Sequence, residues 1–478
     1  MGSKTRKVNV PKIVLIFLGV LTWSLTMVKS GVFYSYGLGF WGPNGHDGVW
    51  HIALSKQLAQ GSFNMPVFAG ETIKNYHVGF DLFLALLNRI TSIPIRNLYF
   101  QVLPPAMALL IGVLAYLFVK KWKKSEVQAW WATFFVYFGG SLGWIVTLIR
   151  SREFGGESMF WAQQSISTLI NPPYALSLIL FLAGLIYLTK LTQKSRKKEL
   201  ILSSLFFGLM LPVKVYGGLL ALGSLFVASL YRYFKEKKAD VLKVFCLSLI
   251  ISLALFLPFN KSSKGLVVFK PLWFLETMMG LSDRFYWPRY ESALINYRLA
   301  GNLIKGVPAY LVAFAIFLVG NLGTRLVKAG EVFSWVKNYK KLSFIEVMFL
   351  SIMAAGVTLP MFFLQKGTPW NTIQFIYYSL FISGIVAGAA FGKWTKGIKG
   401  KKRLVVSAIL VILTIPTTLG TLMHYLPSRP PSMLPKEELS ALKFLSSLED
   451  GIVLTYPYDE EVEKGEAPVP LNRYVSTA

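Results

Sequence analysis

Apolar runs long enough to cross a lipid bilayer recur along this chain, and nothing else in the sequence constrains its fold as much. A bilayer's hydrocarbon core takes about 20 consecutive apolar residues as a helix. Such stretches fall at about 13–29, 98–119, 126–148, 173–189, 200–213, 215–231, 241–258, 303–323, 343–363, 373–391 and 404–422. With 54% apolar and only 15% charged residues, a soluble fold is excluded. The pattern predicts an all-α polytopic membrane protein, a bundle of about 11 transmembrane helices.

The formal net charge of +27 does not mark a nucleic-acid binder, because of where the charges fall. Six segments (1–12, 120–126, 190–199, 232–243, 324–342 and 392–403) carry 29 of the 50 Lys and Arg, counting Lys243, and only five of the 23 acids. Basic segments alternating with apolar runs are the positive-inside pattern. They are expected to be solvated cytoplasmic loops in contact with anionic lipid. This places the N-terminus in the cytoplasm and the C-terminus outside, in a multi-pass protein of the plasma membrane. The first run follows basic residues but lacks a small-x-small cleavage site, so it reads as an uncleaved anchor. The single cysteine, Cys246, lies in an apolar run and leaves no disulfide framework or cysteine metal site.

Residues 200–231 are too long for one span and are flanked by basic residues on both sides. They predict a hairpin turning at Leu211-Pro212-Val213-Lys214, with Pro212 as the breaker. A lysine at the bilayer centre costs ~2.5–3.5 kcal/mol on insertion scales, so Lys214 should sit near the outer face or at a wet cavity.

The external side then comprises 30–97, 149–172, 259–302, 364–372 and the tail from 423. Within the first loop, His51–Gln60 and Phe80–Ile90 predict juxtamembrane helices lying at the headgroup boundary. In the tail, Pro435–Leu448 reads as an amphipathic helix and Ile452–Tyr456 as a strand. Residues 424–478 thus look like the start of an external α/β domain, incomplete and dispensable for membrane folding. The transmembrane domain proper is 1–423.

Chemistry concentrates in the first loop. Asp47, in Gly45-His46-Asp47-Gly48-Val49-Trp50-His51, is a carboxylate among aromatics and histidines at a membrane face. It reads either as a helix N-cap or as a general base, with His51 one helical turn away. Three of the four histidines, His46, His51 and His77, share this loop, the last within Lys74-Asn75-Tyr76-His77. Asp47 and His51 could hold a divalent cation, although no tight metal motif is present. Other candidates for a phosphate or sugar on the same side are Arg152, Lys214, Arg284 and Arg289, with Gln365, Asn371 and Gln374 beside the tenth span.

These elements resemble a family. An outward-facing acid after the first span, followed by a lysine–aromatic element leading into a juxtamembrane helix, is similar to the GT-C membrane glycosyltransferases. The runs GPNGHDGVWHIAL, NYHVGFDLFLALL and WNTIQFIYY point to the branch with aminoarabinose transferase, protein O-mannosyltransferases and RgtA/B/C/D-like proteins. The resemblance implies a GT-C-like bundle that moves a sugar from a polyprenyl-phosphate donor to a glycan, lipid or protein acceptor outside the cell. It implies Asp47 as base or metal ligand and Lys74 as a contact to the lipid phosphate. His51, Tyr76, His77, Arg152, Lys214, Arg284, Arg289 and Gln374 are the other expected substrate contacts. Asn75-Tyr76 stands where the family has a proline pair, and Gly48 follows Asp47 where paired acids are common. A transporter or flippase of lipid-linked sugars, or a glycan polymerase, is the alternative. No internal repeat of the kind transporters show is found across residues 1–422.

Overall fold

The computed structural model describes residues 10–193, 196–261, 265–449 and 451–453. Among these, eight helices are long and apolar enough to cross a membrane: Ile95–Lys123, Pro172–Gln193, Val215–Glu236, Asp240–Phe259, Leu303–Lys337, Phe344–Phe362, Pro369–Lys396 and Gly400–Met423. Glu126–Phe138 and Gly143–Ser151 make a ninth if taken as one span bent by 45°. The expected eleven runs are all helical, but two fall short alone. They are α1 (Val10–Leu25) and the broken pair Lys197–Gly208 and Met210–Val213. Pro369–Lys396 is the innermost span, whereas Asp240–Phe259 is mostly exposed.

The two expected helices of the first loop form, as α2 (Asp47–Ala59) and α3 (Gly79–Thr91). They differ in kind. Helix α2 buries Val49, His51, Ile52, Ala53, Leu54, Ser55 and Leu58, so it is a packed wall and not a surface helix. Helix α3 is amphipathic: Phe80, Asp81, Leu84 and Ala85 face in, and Leu82, Leu86 and Ile90 face out.

A small sheet ties the loop to the tail. Strands β1 (Val32–Tyr34) and β2 (Gly37–Phe40) form a hairpin, and β5 (Ser432–Pro435) pairs antiparallel with β2 in the register Gly37↔Pro435 to Phe40↔Ser432. Gly37 permits this approach: its φ is +129°, and a Cβ there would lie 2.1 Å from the Leu434 carbonyl. Strands β3 (Val267–Phe269) and β4 (Phe363–Gln365) form a second antiparallel pair.

Two expectations need correction. The tail itself is docked on the first loop and the core. Lys29 Nζ donates to the carbonyls of Tyr425, Leu426 and Pro427, Trp41 Nε1 donates to Pro427 O, and Leu434 and Leu442 are buried in the main core. Its helix, Lys436–Ser446, forms as expected, but Ile452 and Val453 form no strand, and Leu454–Tyr456 lie outside the described residues. Finally, not every basic residue of the segments between spans is solvated. Arg325 is 1% exposed, and Arg232 is buried in ion pairs with Glu236 and Asp240.

The tail contacts carry a prediction. Cutting after Pro427 removes the β5 ladder and the burial of Leu434 and Leu442, and burying one such leucine is worth about 1.5–3 kcal/mol. The truncated protein should melt several degrees lower in detergent. An unchanged melting temperature would show that the tail adds nothing to the membrane fold.

Candidate functional site

The loop before α2 is pinned from behind. Asn44, almost fully buried, donates through Nδ2 to Thr26 O and to Ser30 Oγ, both at 2.9 Å, and Trp41 N donates to Ser30 Oγ. Asp47 is thereby held at the first turn of α2, where the helix dipole favours an acid. It is not the N-cap: that position belongs to His46, whose side chain caps nothing. The Asp47 carboxylate is more than half exposed and meets His46 Nδ1 at 2.8 Å.

Asp47 opens onto a cavity of about 880 Å³, within the range of small-molecule sites. Trp50 and His51 of α2 line it, as do Asn75, Tyr76 and His77 of the loop before α3. Lys214 and Tyr216 enter from the break before Val215–Glu236, Gln365 from β4, and Asn371 and Gln374 from the start of Pro369–Lys396. Most of the remaining wall is apolar, including Leu219, Leu253, Phe256, Leu359 and Phe363, with Asn171, Asn260 and Thr372 set into it. Tyr216 Oη donates to Gln365 Oε1 at 2.8 Å, and Asn171 Nδ2 to Gln374 Oε1 at 3.3 Å.

Lys214 is the only lysine or arginine lining the cavity among the described residues. Its backbone is extended, φ −154° and ψ 107°, between the helices ending at Val213 and starting at Val215. Gly79 lets α3 touch this break, since a Cβ there would sit 2.7 Å from Pro212 O. The contact brings Lys214 within electrostatic reach of Asp47 and Asp81. Burial pulls the Lys214 ammonium down to about 8, and the two carboxylates oppose that shift. Burial, together with Lys214 and His51, holds the His77 imidazole well below its ordinary value, so His77 is neutral at pH 7.

Sequence reading missed Asp81. Fully buried, it accepts from His51 Nδ1 at 2.7 Å and from Ser55 Oγ at 3.3 Å, and its Oδ2 has no partner among the described residues. His51 also stacks on Tyr99, with ring centroids 5.8 Å apart. Tyr99 sits on a single π-helical turn, Leu98–Val102, and its buried hydroxyl also lacks a partner among the described residues. The Phe80-Asp81 pair at the start of a helical apolar face was the available signal, since an acid among inward-facing positions requires a partner.

Four expected contacts do not line the cavity, against the expectation that Lys74 and Arg284 or Arg289 share it with Asp47. Lys74 is exposed and pairs with Glu71 at 3.0 Å. Arg152 is exposed and ends Gly143–Ser151 in a left-handed conformation. Arg284 pairs with Asp283 at 2.9 Å and lies over Trp161, and Arg289 is exposed in the first turn of Pro288–Leu299. The physical reason is alike in each: a nearby acid, an aromatic face or water satisfies these cations where the local chain leaves them.

The molecule is similar in fold to the oligosaccharyltransferase of the archaeon Archaeoglobus fulgidus. Its crystal structure in the apo form superposes with a TM-score of 0.54 at 12% identity, covering 98% of this chain and 61% of that one. The same protein tethered to an acceptor peptide with the NVT sequon gives 0.53, over 98% and 59%, and in complex with an inhibitory peptide and a dolichol-phosphate 0.51, over 96% and 60%. The likeness is one of fold. The chain spans about three-fifths of the length of these solved structures. No protein-family model and no curated protein matches the sequence.

One expectation for this site concerns a divalent cation on Asp47 and His51. The donors fit poorly: among the described residues no group of three or more His, Cys, Asp or Glu side chains converges. His51 Nδ1 is also committed to Asp81.

The two acids make opposite predictions for stability. Asp81→Ala leaves His51 and Ser55 without their buried acceptor and should cost about 1–3 kcal/mol. Asp47→Ala, at an exposed position, should stay within about 0.5 kcal/mol of wild type. Thermal melts of the two variants in detergent, run side by side, check the difference.

Proposed function

We propose that this protein is a GT-C glycosyltransferase that moves a sugar from a polyprenyl-phosphate donor to an acceptor on the outer face of the membrane. One observation carries the reading. A single cavity joins an accessible carboxylate, Asp47, and a buried ammonium, Lys214, to an extended apolar wall. A lipid-linked sugar phosphate has that same division into polar head and apolar chain. The related fold has been seen with a dolichol-phosphate, which supports a donor of this chemistry.

The chemistry follows from the groups present. Asp47 takes the proton of the acceptor's nucleophilic group as that atom bonds to the sugar's anomeric carbon. The bond from that carbon to the donor phosphate breaks on the opposite side, and the leaving phosphate carries away the bonding pair. Lys214 faces the charge that develops there, in a site where burial strengthens the interaction. Neutral His77, with Asn75, Asn371 and Gln374, provides hydrogen-bonding groups for sugar hydroxyls. His51, turned by Asp81 so that Nδ1 points away, presents its Nε2 end with no protein partner among the described residues. Attack from the face opposite the phosphate inverts the anomeric centre.

Radiolabel transfer by the purified protein, with a panel of polyprenyl-phosphate sugars, tests the reading. Asp47→Asn should abolish transfer while leaving expression and melting temperature unchanged. Near-normal turnover in that variant would remove Asp47 from the chemistry. The ammonium adds a pH signature: only the protonated lysine neutralises phosphate, so transfer should fall as pH rises through about 8. Lys214→Arg keeps its charge throughout this range. If the variant is active, its plateau should extend to higher pH.

A further inference from the structure

A second polar site lies deeper in the bundle, away from the cavity at Asp47. Arg325 is almost fully enclosed between the helix ending at Phe138, the segment 163–168 and the innermost span. Its Nη1 donates to Gln164 Oε1 at 2.7 Å and, more distantly, to Gly140 O and Asn321 O. Its Nη2 donates to Gly139 O at 2.8 Å and to Ser165 Oγ at 3.1 Å. Nε is buried and has no partner among the described residues.

Every partner of this guanidinium is neutral. No carboxylate lies within ion-pair distance of it among the described residues, whereas buried Arg232 has two. Glu157 is linked to it only through Gln164: the carboxylate accepts from Gln164 N at 2.7 Å, Ser167 Oγ at 2.8 Å and Thr421 Oγ1 at 3.1 Å. Burial raises the Glu157 pKa against those hydrogen bonds, which weakens it as a counter-charge. Lys328, one turn on, supplies no counter-charge either: it reaches Ser383 Oγ and Met353 Sδ, both neutral. An arginine cannot shed its proton in a protein, and a buried charge without a counter-charge is strongly disfavoured.

Beside Arg325 is a cavity of about 20 Å³, lined also by Gln163, Ser165, Ser167, Thr168 and Tyr377. A single water needs ~10–15 Å³ by the same measure, so one slightly larger monatomic species fits. Ser165 accepts from Arg325, while its own proton reaches Phe135 O only at a long 3.4 Å, so it is available to a ligand.

We propose that this cavity binds one small monovalent anion, a halide, as the counter-charge of Arg325. The anion would join segment 163–168 to the segment that follows Leu303–Leu322, and so brace the bend at Gly139–Leu142. The idea is independent of sugar transfer, and its test needs no enzyme activity.

The full chain, purified in detergent, is melted at constant ionic strength as sodium chloride replaces sodium gluconate, whose anion is too large for the cavity. The expected result is a melting temperature that rises by several degrees and saturates with chloride, as mass action requires for a specific site. Crystals grown in bromide should show an anomalous peak beside Arg325. Arg325→Met should abolish the chloride dependence. If that variant does not fold, Ser165→Ala with Thr168→Val should shift saturation to at least several-fold higher chloride. Equal melting in chloride and gluconate without a bromide peak would mean that the cavity holds water, and would overturn the proposal. A chloride effect that persists unchanged in the variants would overturn it equally.

Discussion

Hydrocarbon offers a peptide group no hydrogen bond, so a membrane chain can interrupt a helix only where protein or a wet cavity satisfies the freed groups. This constraint organises the molecule. The bend at Gly139–Leu142 is answered by Arg325, which binds the carbonyls of Gly139 and Gly140. The break at Lys214 opens directly onto the large cavity. The π turn at Leu98–Val102 sets Tyr99 beneath His51. Each departure from regular helix therefore coincides with a polar feature, and the apolar spans between them are free to be ordinary.

The two acids of the first loop show how burial divides labour between like groups. Asp81 is sealed beneath α2 and α3, and its interaction with His51 and Ser55 fixes the imidazole's orientation. Asp47, one turn from His51 on the same helix, remains accessible and is held by its neighbour His46. Lys214 lies within electrostatic reach of both, the single lining cation among the described residues. A sealed acid can orient but cannot exchange a proton with substrate. An open one can.

The position of Asp47 also depends on parts of the chain far from it. Asn44 reads the end of α1 through Thr26 and Ser30, and β2, which leads into this loop, is paired on its other edge with β5 of the tail. Tail, α1 and acidic loop thus form one mechanical unit, clamped by Lys29 on three consecutive carbonyls.

Much of this was legible in the sequence because it is local. Apolar length gives the helical runs, the proline before Lys214 gives the break, and an acid beside aromatics at a membrane face singles out Asp47. Gln365, Asn371 and Gln374 were found by their place beside the tenth apolar run. What the sequence hid depends on approaches between distant segments. Asp81 matters because α3 packs on α2, the tail because β5 finds an open edge nearly 400 residues away, and Arg325 because its segment turns into the bundle instead of toward water. Lys74, Arg284 and Arg289 share the look of phosphate-binding residues, but only tertiary packing decided that Lys214 alone among these cations would face the cavity. Hydrophobic periodicity determines which segments enter the membrane, since each residue's transfer energy is its own. Which charges meet is a property of pairs, and that the folded chain alone decides.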